Sequence, residues 1–260
     1  MTVKLSVCII CKNEQKNIER CLKSVAWADE VVILDSGSSD DTLAIARRYT
    51  DKIYCRDDWE GFGVQRQRAQ ALASNDWILA VDCDEEVSSQ LAQEIAGALS
   101  EADEHTVFML NRLTNFCGQF IYHSGWHPDF VHRIYNKKHY GYNSKTVHEA
   151  VSCGGARKVK LRHTLAHYQF DDLYLYTNKR NSYAETGATE KLSMGKKSSL
   201  SKAVTSSLFA FIRHYFLKRG FLDGKIGFII AVIQMQYTFN KYVFLLNKQA
   251  SKSKGKIEKH

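Results

Sequence analysis

Three apolar runs in the first ninety residues each end in a polar cluster whose residue types suit a charged, hydroxyl-rich ligand. Trp77–Val81 runs into Asp82-Cys83-Asp84, Glu30–Leu34 into Asp35-Ser36-Gly37-Ser38, and Leu5–Cys11 into Lys12-Asn13-Glu14. In an Asp-x-Asp at a strand end, both carboxylates can turn toward one hard divalent cation, or one can take the metal and the other a sugar hydroxyl. Mg²⁺ and Mn²⁺ prefer such oxygen ligands and complete their shell with water and phosphate. Taken alone, the pair also fits a solvated strand end that caps the next helix. Three such ends in succession favour a ligand site. Asp35 can accept the N3–H of uracil or a ribose hydroxyl, or it can simply form a turn ahead of a Gly-Ser loop. Gly37 would let that loop's backbone approach a nucleotide closely. Asn13 reads as a helix cap, and Glu14 in the first turn suits ribose recognition.

The elements that must hold these groups alternate. After the strand Leu5–Cys11, Asn13 is expected to cap a helix with Ile18, Cys21, Leu22 and Val25 on one face. After Glu30–Leu34, Ser39 or Asp40 is expected to cap a helix through Tyr49. A short strand Lys52–Cys55, a loop containing Gly61 and Gly63, a polar helix to Ala73 and the strand Trp77–Val81 follow. Ser88 then caps a helix carrying Leu91, Ile95 and Leu99 on one face. Continuous apolar strands separated by amphipathic helices specify a parallel sheet covered on both faces. Ligands of such a sheet gather at its carboxyl edge. From about residue 105 the pattern changes to short strands (Val107–Leu110, Val131–Tyr135, Val159–Leu161) joined by connections rich in His, Tyr and Trp. Helix is expected again from Asp171.

A chain of 260 residues, 44% hydrophobic and with a single proline, has enough apolar surface for a packed core and no composition typical of disorder. The net charge of +8 is unevenly spread: residues 191–260 hold 14 Lys/Arg against two acids, so the first 190 residues sum to −4. The seven cysteines are odd in number and, with no secretory leader in view, are expected to be reduced in a cytosolic protein. Cys8 and Cys11, three apart on a strand, point to opposite faces and do not share a metal. His123, His127 and His132 lack zinc-site spacing, because Pro128 disfavours a helix there. Residues 226–240 carry no charge, but fifteen residues fall short of the roughly 20 that a bilayer span needs. With Arg213, Lys218, Arg219, Lys225, Lys241 and Lys248 around them, they read as an amphipathic helical region lying on an anionic membrane surface or docked on the body. No RNA- or DNA-binding motif accompanies the charge, and no nucleic-acid partner is expected.

The runs from Ser6 to Glu14, from Glu30 to Thr42 and from Leu79 to Glu86 resemble the inverting family 2 glycosyltransferases. The resemblance implies an α/β fold of the GT-A type, a Rossmann-like nucleotide-binding half with a mixed sheet, plus a C-terminal helical segment. It divides the chain into a catalytic domain over 1–190 (nucleotide-sugar half 1–104, acceptor half 105–190) and a basic helical region over 191–260. It also implies a UDP-sugar donor: Asp35 on uracil, Asn13 and Glu14 near ribose, Gly37 and Cys83 in the nucleotide-sugar site, Asp82 bridging nucleoside and sugar, and Asp84 on a Mg or Mn ion. Gln67 stands where the family often has an asparagine and is carried over with this set.

Trp126-His-Pro-Asp129, Val131-His-Arg-Ile-Tyr135, Lys145-Thr-Val-His-Glu-Ala150, Tyr183–Gly187 and Gly220–Gly224 resemble the bacterial lipopolysaccharide core glucosyltransferases of the WaaE/KdtX type. Such relatives imply transfer of glucose from UDP-glucose, in β-linkage, to an inner-core heptose at the inner face of the inner membrane. Another lipid-linked or cell-surface glycan as acceptor, and a nucleotide-sugar-binding protein without turnover, are the alternatives. An inverting transfer needs a base for the acceptor hydroxyl. Glu149 is the candidate, with His148 as the alternative. Trp126, His127, Asp129, Arg133 and His148 are the candidate acceptor contacts, each with a packing or surface reading beside it.

Overall fold

The computed structural model describes residues 3–145 and 149–257. Residues 1–113 with 128–168 make one compact unit, and 114–127 with 169–260 a second.

The first unit holds a two-stranded sheet of β9 (Gly141–Tyr142) and β10 (Val151–Ser152) and is built on β1 (Leu5–Cys11), β2 (Glu30–Asp35), β3 (Ile53–Cys55), β4 (Trp77–Asp82), β5 (Glu85–Val87), β6 (Thr106–Phe116, to residue 113), β8 (Asp129–Asn136) and β11 (Arg157–Phe170, to residue 168). In the larger sheet the strands lie in the order β3-β2-β1-β4-β8-β6-β11-β5. The first four run parallel, whereas β8 pairs antiparallel to β4 and β5 antiparallel to β11. The expectation of a parallel sheet is met for the first half of the chain, and the second half makes the sheet mixed. Val7, Ile9, Ile33, Leu79 and Val81 are fully buried within one layer of the core, and Cys11 packs there too. Cys8 packs in the layer on the opposite face, with Val32, Leu34, Ile78 and Ala80. Each such aliphatic side chain contributes roughly 1.5–3 kcal/mol relative to exposure. The two cysteines thus sit on opposite faces, and the described cysteines are all free thiols.

The helices are α1 (Ile18–Val25), α2 (Thr42–Ala46), α3 (Phe62–Leu72) and α4 (Ser89–Ser100). Helix α1 buries the expected Ile18, Cys21, Leu22 and Val25. Helix α4 is capped as expected, with Ser88 Oγ accepting from Leu91 N at 3.1 Å. Helix α3 buries an unusual face made of Gly63, Gln65, Arg66 and Ala69. At Gly63 a Cβ would stand 2.1 Å from the Asn143 carbonyl oxygen, so the helix approaches residues 143–145 as only glycine permits.

The second unit contains the hairpin strand β7 (Gln119–Phe120) paired to Asn115–Phe116, then α5 (Leu173–Ser193), α6 (Leu200–Ile212) and α7 (Gly224–Ile257). Residues 114–127 belong here because Phe116 and Ile121 pack with Tyr176, Ile230 and Ile233. Asp172 and Ser199 cap α5 and α6 through Leu175 N and Lys202 N. Asp223, 4% exposed, accepts from the backbone of Tyr122 and His123 and from Ser124 Oγ. Among the described residues no helix is long and apolar enough to cross a membrane.

Candidate active site

The register of the sheet assembles the site. Cys11 pairs with Asp35, and Ile10 with Asp82, so the carboxyl ends of β2 and β4 flank the end of β1. The two loops leaving β1 and β2 are laced together. Asn13, at φ 56°, accepts from Ser39 N at 2.8 Å, and its own N–H donates to Ser38 Oγ at 2.9 Å. Asn13 is therefore no helix cap, and α1 starts four residues later than that reading required. Its side chain is spent on the neighbouring loop. Glu14 is half-buried. Burial raises its pKa above the usual carboxylate value, the Asn17 amide opposes this, and the charges of Asp84 and Asp82 add to the rise. Glu14 thus belongs to the same electrostatic group as the Asp-x-Asp pair.

Asp35 requires a correction. It is 1% exposed, and both of its oxygens serve the turn: Oδ2 accepts from Gly37 N and Ser38 N at 2.9 Å, and Oδ1 from Ser38 Oγ at 2.5 Å. The turn reading describes this geometry, and no side-chain face is left for a base. Gly37, exposed at φ 86°, holds the left-handed position of that turn. Cys83 also turns inward, 4% exposed, with its thiol on the Ile10 carbonyl at 3.5 Å.

Asp82 is the centre of a charge network that sequence reasoning did not anticipate. Its Oδ1 accepts from Arg66 at 2.5 Å and its Oδ2 from Arg133 at 2.6 Å. Arg133 also reaches Glu85 at 2.6 Å, and Arg66 Nε reaches Glu149 at 3.1 Å. Arg66 and Arg133 are 7% and 4% exposed. Burial disfavours ionisation of Asp82, yet Arg133 and Arg66 outweigh it and hold the carboxyl far below the usual range. Fully buried Glu85 goes the other way, its pKa raised by burial against the pull of Arg133. Asp82, Arg66, Arg133 and Glu149 line a cavity of about 300 Å³, together with Tyr142 and His132. Two buried nitrogens there, Arg133 Nε and His132 Nε2, lack a hydrogen-bond partner among the described residues. Such orphaned groups suit a polar ligand.

Asp84 lies beside this cavity's Asp82 in sequence and points to another partner. Strand β5 pairs with β11 so that Glu85 opposes His167, and Tyr168 N donates to the Asp84 carbonyl at 2.7 Å. His167 Nε2 consequently stands 3.4 Å from Asp84 Oδ2, with the two side chains 6% and 24% exposed. A carboxylate oxygen next to an imidazole nitrogen is a donor set that suits a divalent metal, Mn²⁺ being at home with both.

The remaining expected residues fall elsewhere. Gln67 is exposed and donates to the Tyr142 carbonyl at 2.6 Å. The buried glutamine of α3 is Gln65, which donates to Ser36 Oγ at 3.0 Å and Arg56 O at 3.2 Å. Arg133 is an ion-pair member in the cavity wall rather than a free cation for an acceptor. Asp129 is held by Arg112 at 2.7 Å. Trp126 and His127 belong to the second unit. Trp126, partly buried, packs edge-to-face on Phe116 with centroids 5.4 Å apart, against the apolar cluster of the second unit. His123 pairs with Asp223 at 3.0 Å within that unit, and His132 belongs to the first unit. His148 lies outside the described residues. Among these, the one group of three potential metal ligands is the exposed Glu104, His105 and His139.

The model of family 2 glycosyl transferases matches residues 6–165, which contain every member of this network. The chain belongs to glycosyl transferase family 2. Its mixed sheet and C-terminal helical segment agree with the GT-A type of fold that the resemblance implied. A glycosyltransferase of undetermined specificity from Rickettsia conorii is 30% identical, covering 98% of this chain and 93% of its own length. The lipopolysaccharide core biosynthesis glycosyltransferase LpsC of Rhizobium meliloti is 28% identical, covering 98% and 96%. Among solved structures, glucosyl-3-phosphoglycerate synthase from Mycobacterium tuberculosis with Mn²⁺ and UDP-glucose is 24% identical over 45% of this chain and 44% of that one. Its TM-score is 0.36, a likeness too slight to bear on mechanism.

Arg66 was missed because α3 has no apolar stripe, and hydrophobic periodicity is blind to a buried polar face. The readable signal was the polarity itself, in a helix that the alternating pattern required to cover a sheet. His167 was missed because the last strand was expected to end at Leu161. The alternation Leu165, His167 on the buried face would have extended it.

Proposed function

We propose that this family member is a metal-dependent, inverting hexosyltransferase that moves glucose from UDP-glucose to the inner-core heptose of lipopolysaccharide. The observation that carries the reaction type is the convergence of Asp82, Arg66 and Glu149 on one cavity, with Asp84 and His167 adjoining. The full-length similarity to LpsC supports the acceptor class.

In this reading Glu149 takes the proton of the acceptor hydroxyl as its oxygen attacks the anomeric carbon. The bond from that carbon to the diphosphate oxygen breaks, and its electron pair leaves with UDP. Arg66 holds Glu149 and Asp82 at fixed separation, which limits the reorganisation required during attack. Asp82 faces the donor sugar, and Glu14 the ribose. Asp35 acts through the loop it folds rather than by touching the base. Asp84 and His167 would hold Mg²⁺ or Mn²⁺, which supplies charge stabilisation for the departing diphosphate.

The second unit supports a peripheral position on an anionic membrane. Phe209, Phe216, Leu217, Phe221, Leu222 and Phe228 are exposed, and Lys218, Arg219 and Lys225 stand among them in sequence. The deciding experiment measures UDP release from a panel of UDP-sugars with Mn²⁺, Mg²⁺ or chelator, in the presence of heptose-terminated core oligosaccharide. Acceptor-stimulated, metal-dependent turnover of UDP-glucose is expected. Turnover with another donor, or none with this acceptor, overturns the specificity proposed here.

A further inference from the structure

Helices α6 and α7 enclose a second cavity, of about 540 Å³, within the helical unit. Its lining includes Arg213, His214, Gln234, Tyr237, Lys241 and Tyr242 and no carboxylate. Cations crowd its two tyrosines. Arg180 lies 3.9 Å and Lys241 4.8 Å from the Tyr237 ring centroid, and Lys191, Lys202 and Lys241 lie 5.6–5.7 Å from that of Tyr242. Among the described residues none of Arg180, Lys191, Lys202, Arg213 and Lys241 is within 4.0 Å of a carboxylate. The nearby Glu185 is taken by Lys248 at 2.5 Å.

Five unneutralised cations around one cleft repel one another, and cation–π contacts of about 0.5–2 kcal/mol each offset only part of that. The local field is visible at both walls. Burial lowers the pKa of Lys241, with Lys191 and Arg180 adding to the effect. Burial likewise lowers that of His214, and Arg213, Arg180 and Lys218 add to it against the Ser124 carbonyl. An independent observation points the same way: among the described residues Arg180 Nε is buried without a hydrogen-bond partner, while its Nη2 donates to Gln234 of the cavity at 2.8 Å. The charges come from α5, α6, the helical turn Arg213–Leu217 that follows it and α7, so the arrangement is built by packing rather than by a run in the sequence.

We infer that the cleft between α6 and α7 is a binding site for a phosphate group, held by the lining cations Arg213 and Lys241 beside Tyr237 and Tyr242, with Arg180, on the Tyr237 ring, adding to the field. A dianionic phosphate placed there offsets two of the five positive charges and gives Arg213 and Lys241 a charge-assisted acceptor. The same chemistry is offered by an anionic phospholipid headgroup and by a soluble phosphate or diphosphate.

The test uses the full chain with chelator present and no sugar donor, so its outcome is independent of the transferase reaction. Lysines are acylated at pH 8, and labelling of Lys241 is followed by peptide mass spectrometry against exposed Lys4. Pyrophosphate is compared with sodium chloride at equal ionic strength, and phosphatidylglycerol vesicles with phosphatidylcholine vesicles. Labelling of Lys241 is expected to slow at least fivefold relative to Lys4 with one anionic partner. Protection by pyrophosphate assigns a soluble phosphate, and protection by phosphatidylglycerol alone assigns a headgroup at the bilayer. The Arg180→Gln and Lys202→Gln variants are both expected to reduce the protection, and Lys202 is exposed, so its removal leaves the fold intact. Unchanged Lys241 labelling with every partner, or undiminished protection in both variants, overturns the inference.

Discussion

His167 and Asp84, 83 residues apart in sequence, stand 3.4 Å from each other because β11 lies antiparallel to β5. If this pair holds the metal, the Asp84→Asn and His167→Gln variants each lose at least about tenfold in Mn²⁺ affinity in the presence of UDP. Electron paramagnetic resonance of free Mn²⁺ measures this directly. Wild-type affinity in both variants would remove the pair from the metal site.

Arg66 is the keystone of the cavity, since it ties Asp82 to Glu149 from a buried position. Removing one partner of a buried ion pair leaves uncompensated charge and costs roughly 3–5 kcal/mol. Arg66→Met is expected to lower the urea midpoint accordingly and to abolish transfer. In an Asp82→Asn background the further loss from Arg66→Met is expected to be smaller, because one of the two carboxylates it would strand, Asp82 rather than Glu149, is already neutral.

Glu149→Gln preserves shape and removes the base. Turnover should fall by about 10²–10⁴, with UDP affinity within about twofold of wild type. Equal losses in both would mean that Glu149 only shapes the cavity.

Acid stability should depend on Glu30. Burial opposes its charge, but Lys52, Ser6 and Ser74 prevail and bring its pKa from 4.5 to about 2. A lowered folded-state pKa gives stability that is fully present above 4.5 and lost as the pH falls toward 2, on the order of 3 kcal/mol. In Glu30→Gln, urea midpoints between pH 6 and pH 3 should be lower at the upper end and decline less steeply.

Glu14 has the opposite sign. Its pKa is raised in the fold, chiefly by burial, so its ionisation destabilises the free protein as the pH climbs above 4.5 and through the folded value. Glu14→Gln is therefore expected to raise the melting temperature at pH 7.5 slightly while weakening UDP binding. A lower melting temperature with unchanged UDP binding would contradict both the sign and the ribose contact.

The sequence alone determined the alternating strands and helices of the first hundred residues, since period-2 and period-3.6 burial are local patterns written in Val7, Ile9, Ile33 and Leu79 or in Leu91, Ile95 and Leu99. It likewise fixed which strand ends bear carboxylates, and hence the edge at which a ligand would collect. Which way each carboxylate faces was decided by tertiary structure. Asp35 closes its own turn and Asp82 meets two arginines, because hydrogen-bond partners are set by neighbours in space rather than in sequence. The partners Arg66, Arg133 and His167 come from a polar helix and two late strands, and the cationic cleft of the helical unit from three helices and a helical turn. Buried charges leave no periodic signature, so only the packed chain shows where they meet.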